Sequence, residues 1–207
     1  MNNYFITGTG TGVGKTIVAS ILTEALNADY WKPVQCGNLE NTDKQIVRGL
    51  VSNSKSVFHK ETFLLKTPVS PHLAASIEGV EINLNNIEIP YASNNIVIEG
   101  AGGLMVPINT KGDLMLDLIK KLRTDIILVS QNYLGSINHT LLTVSALNVA
   151  NIKIAGIVFN GDENSETEKY ILNYTSLPCL GKIRKEESLN KEIIIKYAKS
   201  FNINLLN

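Results

Sequence analysis

Apolar positions in this 207-residue chain fall into two alternating textures. Short unbroken runs occupy Tyr4–Thr7, Asp29–Lys32, Ile96–Glu99, Asp125–Val129, Ile154–Phe159 and Cys179–Ile183. A strand with one wet face would alternate apolar and polar residues, so continuous runs such as Ile-Ile-Leu-Val read as strands buried on both faces. Between them the spacing is helical, over Lys15–Leu26, Asp43–Leu50, His72–Glu78, Leu114–Leu122, Ser136–Val149, Glu166–Asn173 and Lys191–Phe201. In the first of these, Ile17, Val18, Ile21, Leu22, Ala25 and Leu26 share one face. In the fifth, Ile137, Leu141 and Val144 are expected to face the core. Alternating β and α elements of this kind predict a doubly wound α/β fold, with a mostly parallel sheet and helices on both faces. Residues 34–95 fit least well and are expected to form a long excursion over the carboxyl edge of the sheet. Residues 1–207 are expected to make one domain.

In such sheets ligands sit at the carboxyl ends of the strands, so the strand exits carry the functional reading. The first exit is the most informative. Residues 4–16 read Tyr-Phe-Ile-Thr-Gly-Thr-Gly-Thr-Gly-Val-Gly-Lys-Thr: a strand, a glycine-rich loop, Lys-Thr, then a helix. Backbone N–H groups and the positive end of the helix dipole favour an anion there. Lys15 can reach the outer phosphates and the Thr16 hydroxyl can ligate Mg²⁺. The usual GxxxxGK[ST] spacing would need glycine at position 9, which is Thr9, and counting from Gly8 makes the loop one residue longer. The pattern places the chain among P-loop NTPase-like α/β proteins.

The other exits add polar groups. Glu99 leaves the third strand into Gly100-Ala101-Gly102-Gly103, where phosphate-loop proteins place an acid that holds Mg²⁺. Lys32, between Trp31 and Pro33, would alone be a solvated charge; beside a phosphate loop it is a candidate second cation for a transferring phosphoryl group. Asp43 follows Thr42 at a helix start and, taken locally, reads as a charge favouring the helix dipole. Ser70-Pro71-His72 reads as a capping serine with proline in the first turn, and His72 alone carries no assignment. The helix start at Gly135-Ser136-Ile137-Asn138 offers free N–H groups to a carboxylate, or is simply a capped start.

Composition removes other classes. Lys plus Arg and Asp plus Glu number 19 each, so no basic field exists to hold nucleic acid. Cys36 and Cys179 lack metal-ligand spacing and suit a reducing, cytoplasmic setting. No apolar run approaches the ~20 residues of a membrane span. The amino-terminal residues, already a strand and loop, do not read as a signal peptide.

Taken together, the elongated Gly-Thr-Gly-Thr-Gly-Val-Gly-Lys-Thr loop, Lys32-Pro33-Val34, Ser70-Pro71-His72, Val97-Ile98-Glu99-Gly100-Ala101-Gly102-Gly103 and Leu134-Gly135-Ser136-Ile137-Asn138-His139 closely resemble the dethiobiotin synthetase family. The motifs occur in that family's order and span residues 4 to about 161. The resemblance implies ring closure of 7,8-diaminopelargonic acid with CO₂, driven by ATP with Mg²⁺, to give dethiobiotin, ADP and phosphate in biotin synthesis. It implies Lys15 and Lys32 against the γ-phosphate and carbamate, and Thr16, Asp43 and Glu99 on Mg²⁺. It implies nucleotide contacts from Gly12, Val13, Gly14, Lys15, Thr16, Ile17, Asp43, Glu99, Gly100, Ala101, Gly102, Asn160 and Gly161, with Asn160 reading adenine. Substrate contacts are implied for Thr11, Lys32, Cys36, Gly135, Ser136, Ile137 and Asn138, the last four across a homodimer interface.

The chain departs from that family's pattern at three positions. Cys36 replaces a hydroxyl residue, Gly12 replaces an acidic loop residue and is expected to loosen or reshape the loop, and Arg184 replaces a proline bordering adenine. Two runner-up readings share the loop: a cobyrinate-type amidoligase, and a ParA- or MinD-like ATPase switch. The switch family places a second lysine where Gly10 stands.

Overall fold

The computed structural model describes residues 2–206. Strand β1 (Asn3–Gly8) leads through the glycine loop into α1 (Lys15–Leu26), then β2 (Asp29–Trp31), β3 (Val34–Cys36), α2 (Asp43–Leu50), β4 (Phe63–Leu65) and α3 (Pro71–Glu78). There follow β5 (Ile96–Glu99), α4 (Met115–Leu122), β6 (Asp125–Gln131), α5 (Ser136–Val149), β7 (Ile154–Asn160), α6 (Ser165–Thr175), β8 (Cys179–Ile183) and α7 (Lys191–Ser200). Six strands form one sheet in the order β2-β5-β1-β6-β7-β8, and every pairing in it is parallel.

The period of two along each strand divides the core. Phe5, Trp31, Ile96, Ile98, Ile126 and Leu128 face one side, where they meet Met115, Leu118 and Ile119 of α4, Val144 and Leu147 of α5 and Ile171 of α6. Tyr4, Ile6, Tyr30, Val97, Ile127 and Val129 face the other, against Val18, Ile21 and Leu22 of α1, Val47 of α2 and Ile194 and Tyr197 of α7. Both faces are covered, as continuous apolar strands require.

The structure differs from the sequence expectation in the excursion. Strand β2 stops at Trp31, and β3 pairs with β4 in a separate two-stranded parallel sheet. Pro33 explains the break: it has no N–H to continue the ladder, and its carbonyl instead accepts from the N–H groups of Thr62 and Phe63, both at 2.9 Å. A three-residue strand such as Phe63–Leu65 is too short for periodicity to show. Pro71 opens α3 as expected, but the Ser70 hydroxyl makes no capping bond; it pairs with His72 Nδ1 at 3.1 Å. The buried face of α5 is Ser136, Thr140, Val144 and Leu147, with Ile137 and Leu141 only half-buried.

Asp29 fastens the excursion to the sheet. Buried at the start of β2, its carboxylate accepts from Val57 N–H at 3.0 Å and Asn94 Nδ2 at 2.8 Å, and pairs with His59 Nε2 at 3.0 Å. Burial pushes its carboxyl upward, but the bonds from Asn94, Val57 and His59 outweigh this and hold it below the ordinary carboxylate value. A depressed folded-state value means that the clamp contributes fully above the unfolded-state value of about 3.9, and that its contribution is lost as pH falls through the folded value. Asp29→Asn is therefore expected to lower the unfolding free energy at pH 7 by about 1–3 kcal/mol. The difference from the unaltered protein should shrink as pH is lowered towards 3 in denaturant titrations; a difference independent of pH would mean that the Asp29 charge is not what holds the clamp.

Candidate functional site at the carboxyl edge of the sheet

The loop between β1 and α1 has its carbonyls tied from outside. Asn160, the last residue of β7, donates Nδ2–H to the Val13 carbonyl at 2.9 Å. Gly14 has φ 98°, and a Cβ there would lie 2.3 Å from Asn160 Nδ2, so both the backbone conformation and the neighbour demand glycine. Lys15 Nζ folds back to the Gly10 carbonyl at 2.8 Å. Among the described residues the N–H groups of Gly12, Gly14, Lys15 and Thr16 have no acceptor, which leaves a cradle of donors at a helix start. The N–H of Ile17 is taken by the Gly14 carbonyl at 3.1 Å, within the first turn of α1. Gly12 adopts φ 75° with open space around it; a side chain there would strain the backbone and meet no clash.

Next to the cradle, groups from four elements converge. The Thr16 hydroxyl lies 2.9 Å from Glu99 Oε1 and 3.2 Å from Asp43 Oδ1. Lys32 Nζ bridges the same two carboxylates, bonding Asp43 Oδ2 and, at 3.1 Å, Glu99 Oε1. The Tyr30 hydroxyl donates to Glu99 Oε2 at 2.8 Å. The local sequence explains why Asp43 is free for this. Thr42 caps α2, accepting from Gln45 N–H at 3.3 Å, and Gln45 Oε1 accepts from Thr42 N–H at 2.6 Å. The capping box already satisfies the helix start, so the Asp43 carboxylate turns towards Lys32 and Thr16. Gln35 Oε1 accepts the Asp43 N–H at 3.4 Å and steadies that start.

Burial sets the charges. Lys15 is nearly buried, and loss of solvent, only partly offset by Glu99 and Asp43 and reinforced by the neighbouring Lys32 cation, brings its ammonium down to about 8. Lys32 is as deep, yet the Glu99 and Asp43 carboxylates overcome the cost of burial and raise it above the ordinary lysine value. Burial, with Glu99 alongside, pushes the Tyr30 hydroxyl well up, so it remains a donor.

The donor set suits a hard cation. Thr16, Asp43 and Glu99 supply oxygen only, and among the described residues there is no cluster of three or more His, Cys, Asp or Glu that would form an all-protein cage. Mg²⁺ takes six oxygens in a near-octahedral shell and is commonly held by one or two carboxylates with phosphate and water. The residues fit such a site beside the cradle.

A cleft of about 370 Å³ opens from this cluster. Thr11, Lys32 and Cys36, expected as substrate contacts, line it together with Asp43, Ala101 and Gly102; Gln35, Pro68, Val69 and Val106 also line it and carried no motif. Burial raises the Cys36 thiol to about 11, so it is a neutral, weak donor on the cleft wall. Gly100 runs beneath, its N–H bonded to the Ile6 carbonyl at 3.0 Å. Gly161 and Arg184 line a separate hollow of about 220 Å³ at the ends of β7 and β8, where Arg184 pairs with Glu163 at 3.2 Å. Gly135, Ser136, Ile137 and Asn138 do not line the Lys32 cleft. At that helix start the N–H groups of Ile137 and Asn138 have no acceptor among the described residues, Gly135 makes no side-chain cap and the buried Ser136 hydroxyl is unpartnered. Tyr30 was missed by sequence reasoning; its position in the strand that leads directly to Lys32 was the available signal.

A family model described as an AAA domain matches residues 2–193. The chain is 50% identical to the ATP-dependent dethiobiotin synthetase BioD of Christiangramia forsetii, over 96% of this chain and 95% of that protein. It is 50% identical to the protein of the same name from Cytophaga hutchinsonii, over 96% of each. Among solved structures it resembles the septum site-determining protein MinD of Pyrococcus horikoshii complexed with Mg-ADP, with a TM-score of 0.58 and 16% identity over 97% of this chain and 96% of that one. It likewise resembles a ParA family ATPase from Chlorobium tepidum, with a TM-score of 0.57 and 13% identity over 96% and 98%. Those two likenesses establish the fold, whereas half-identity over nearly the whole length goes further: the chain belongs to the ATP-dependent dethiobiotin synthetase family.

Proposed function

We propose that residues 1–207 act as one P-loop unit that closes the ureido ring of dethiobiotin from 7,8-diaminopelargonic acid, CO₂ and ATP. The observation that carries the reading is the meeting of Lys15, Thr16, Lys32, Asp43 and Glu99 between a donor cradle and an open cleft. The free N–H groups of the loop receive the β- and γ-phosphates, and Lys15 leaves the Gly10 carbonyl to contact them. Mg²⁺, held by Thr16, Asp43 and Glu99, supplies charge neutralisation for the phosphoryl oxygens.

One amine of the substrate captures CO₂ as a carbamate, whose oxygen is a poor leaving group. Its attack on the γ-phosphorus releases ADP and gives a carbamic-phosphoric anhydride. The second amine then attacks the carbamoyl carbon, expels phosphate and closes a five-membered urea. Lys32, buried in the cleft wall, holds the carbamate against the γ-phosphoryl group, so the protein mostly positions and neutralises. Neutral Cys36 shapes the wall beside it.

The substrate's carboxylate tail is assigned to the Gly135–Asn138 helix start of a second copy. Its free N–H groups suit an anion, and it stands apart from the Lys32 cleft of its own chain. Thr11 and Val106 of the cleft also border a hollow lined by Met105 and by Leu142 of α5, both largely exposed. Contiguous exposed apolar surface of this kind marks an interface, which supports a homodimer.

Lys15→Ala and Lys32→Ala are each expected to abolish dethiobiotin formation, read by mass spectrometry, while circular dichroism stays native. Near-normal kcat in Lys32→Ala would remove it from the phosphoryl and carbamate contacts. Asn138→Asp is expected to weaken diamine binding far more than ATP binding, because it sets a negative charge against the carboxylate. Heterodimers of Asn138→Asp with Lys15→Ala carry one intact composite site and should recover activity; verified heterodimers without recovery would count against a shared site.

A further inference from the structure

Glu99 is fully buried, and its two oxygens are divided between different donors. Oε1 receives the Thr16 hydroxyl at 2.9 Å and Lys32 Nζ at 3.1 Å, while among the described residues Oε2 receives only the Tyr30 hydroxyl, at 2.8 Å. The register explains the meeting. Tyr30 lies opposite Val97 in the parallel β2–β5 pair, the period of two puts Glu99 on the same face as Val97, and Lys32 stands one residue beyond the end of β2. Tyr30 is itself immobilised. Its N–H bonds the Val57 carbonyl and its carbonyl accepts from His59 N–H, each at 2.9 Å, and its ring lies against Phe58 with centroids 6.4 Å apart.

We propose that Tyr30 is a positioning residue of this site: its hydroxyl anchors Glu99 Oε2, so that Oε1 alone is presented to the metal and to Lys32. The inference rests on the reading that Thr16, Asp43 and Glu99 hold Mg²⁺. A carboxylate can rotate about its last bond, and a buried oxygen without a donor is costly. Without the hydroxyl, Oε2 has no donor among the described residues where it stands, so the carboxylate turns it towards Thr16 and Lys32 and carries Oε1 out of place. Groups that orient a metal ligand in this way typically contribute about 10- to 100-fold to metal affinity.

The test uses Mn²⁺ as a paramagnetic probe, titrated into the full-length protein in the presence of saturating ADP. Tyr30→Phe keeps the ring and its packing and removes only the hydroxyl. It is expected to weaken Mn²⁺ at least about 10-fold, with metal-free ADP affinity unchanged. Phe58→Leu, which disturbs the ring contact but spares the hydroxyl, is expected to bind Mn²⁺ normally; an equal loss there would assign the effect to packing and overturn the proposal. Glu99→Gln separates the two levels. If it loses Mn²⁺ while Tyr30→Phe does not, Tyr30 has no positioning role and the metal reading stands. If Glu99→Gln binds Mn²⁺ as the unaltered protein does, the metal reading fails and the Tyr30 role falls with it.

Discussion

A buried carboxylate must find donors or lose its charge, and the carboxyl edge of this sheet is organised around that requirement at Glu99. Its oxygens draw in Thr16 from the first turn of α1, Lys32 from just beyond β2 and Tyr30 from within β2. Lys32 keeps its own charge at that depth beside two carboxylates, and the second of them ties in Asp43 at the start of α2. The cluster thereby joins the helix after β1, the crossover after β2 and the exit of β5. Pairs of this kind contribute little net stability once desolvation is counted; what they give here is a set of relative positions. Those positions leave the loop N–H groups unoccupied on one side and a cleft open on the other.

Much of this was legible in the chain itself. The parallel sheet could be read because its strands are unbroken apolar runs, and α1 because its apolar stripe begins directly after Lys15-Thr16. Glu99 was legible because three glycines follow within four residues of an apolar strand. Asp43 was not legible on local grounds: a carboxylate after Thr42 looks like helix-start charge, and only the completed Thr42–Gln45 capping box shows that it is not needed there. Tyr30 was hidden for a different reason. A tyrosine in an apolar strand reads as core, and its ring is core; only the neighbouring strand's register reveals what its hydroxyl touches. The β3–β4 sheet was hidden by brevity, since three residues cannot display a period.

The likeness to MinD and ParA proteins shows how little of the chemistry the fold determines. The architecture is shared at 13–16% identity, and any such sheet offers its ligands the same edge. What distinguishes this chain lies in a few exit residues. The Gly10 carbonyl receives Lys15, and Lys32 and Cys36 line a cleft beside the donor cradle.

The contact between Gly14 and Asn160 has an evolutionary consequence. The asparagine amide occupies the space that any side chain at position 14 would fill, and it also holds the Val13 carbonyl. Neither position can drift alone. A larger residue at 14 evicts the amide, and losing the amide releases the loop even when the glycine remains. Among descendants of this sequence the two sites should change as a pair or not at all, although they lie far apart in the chain.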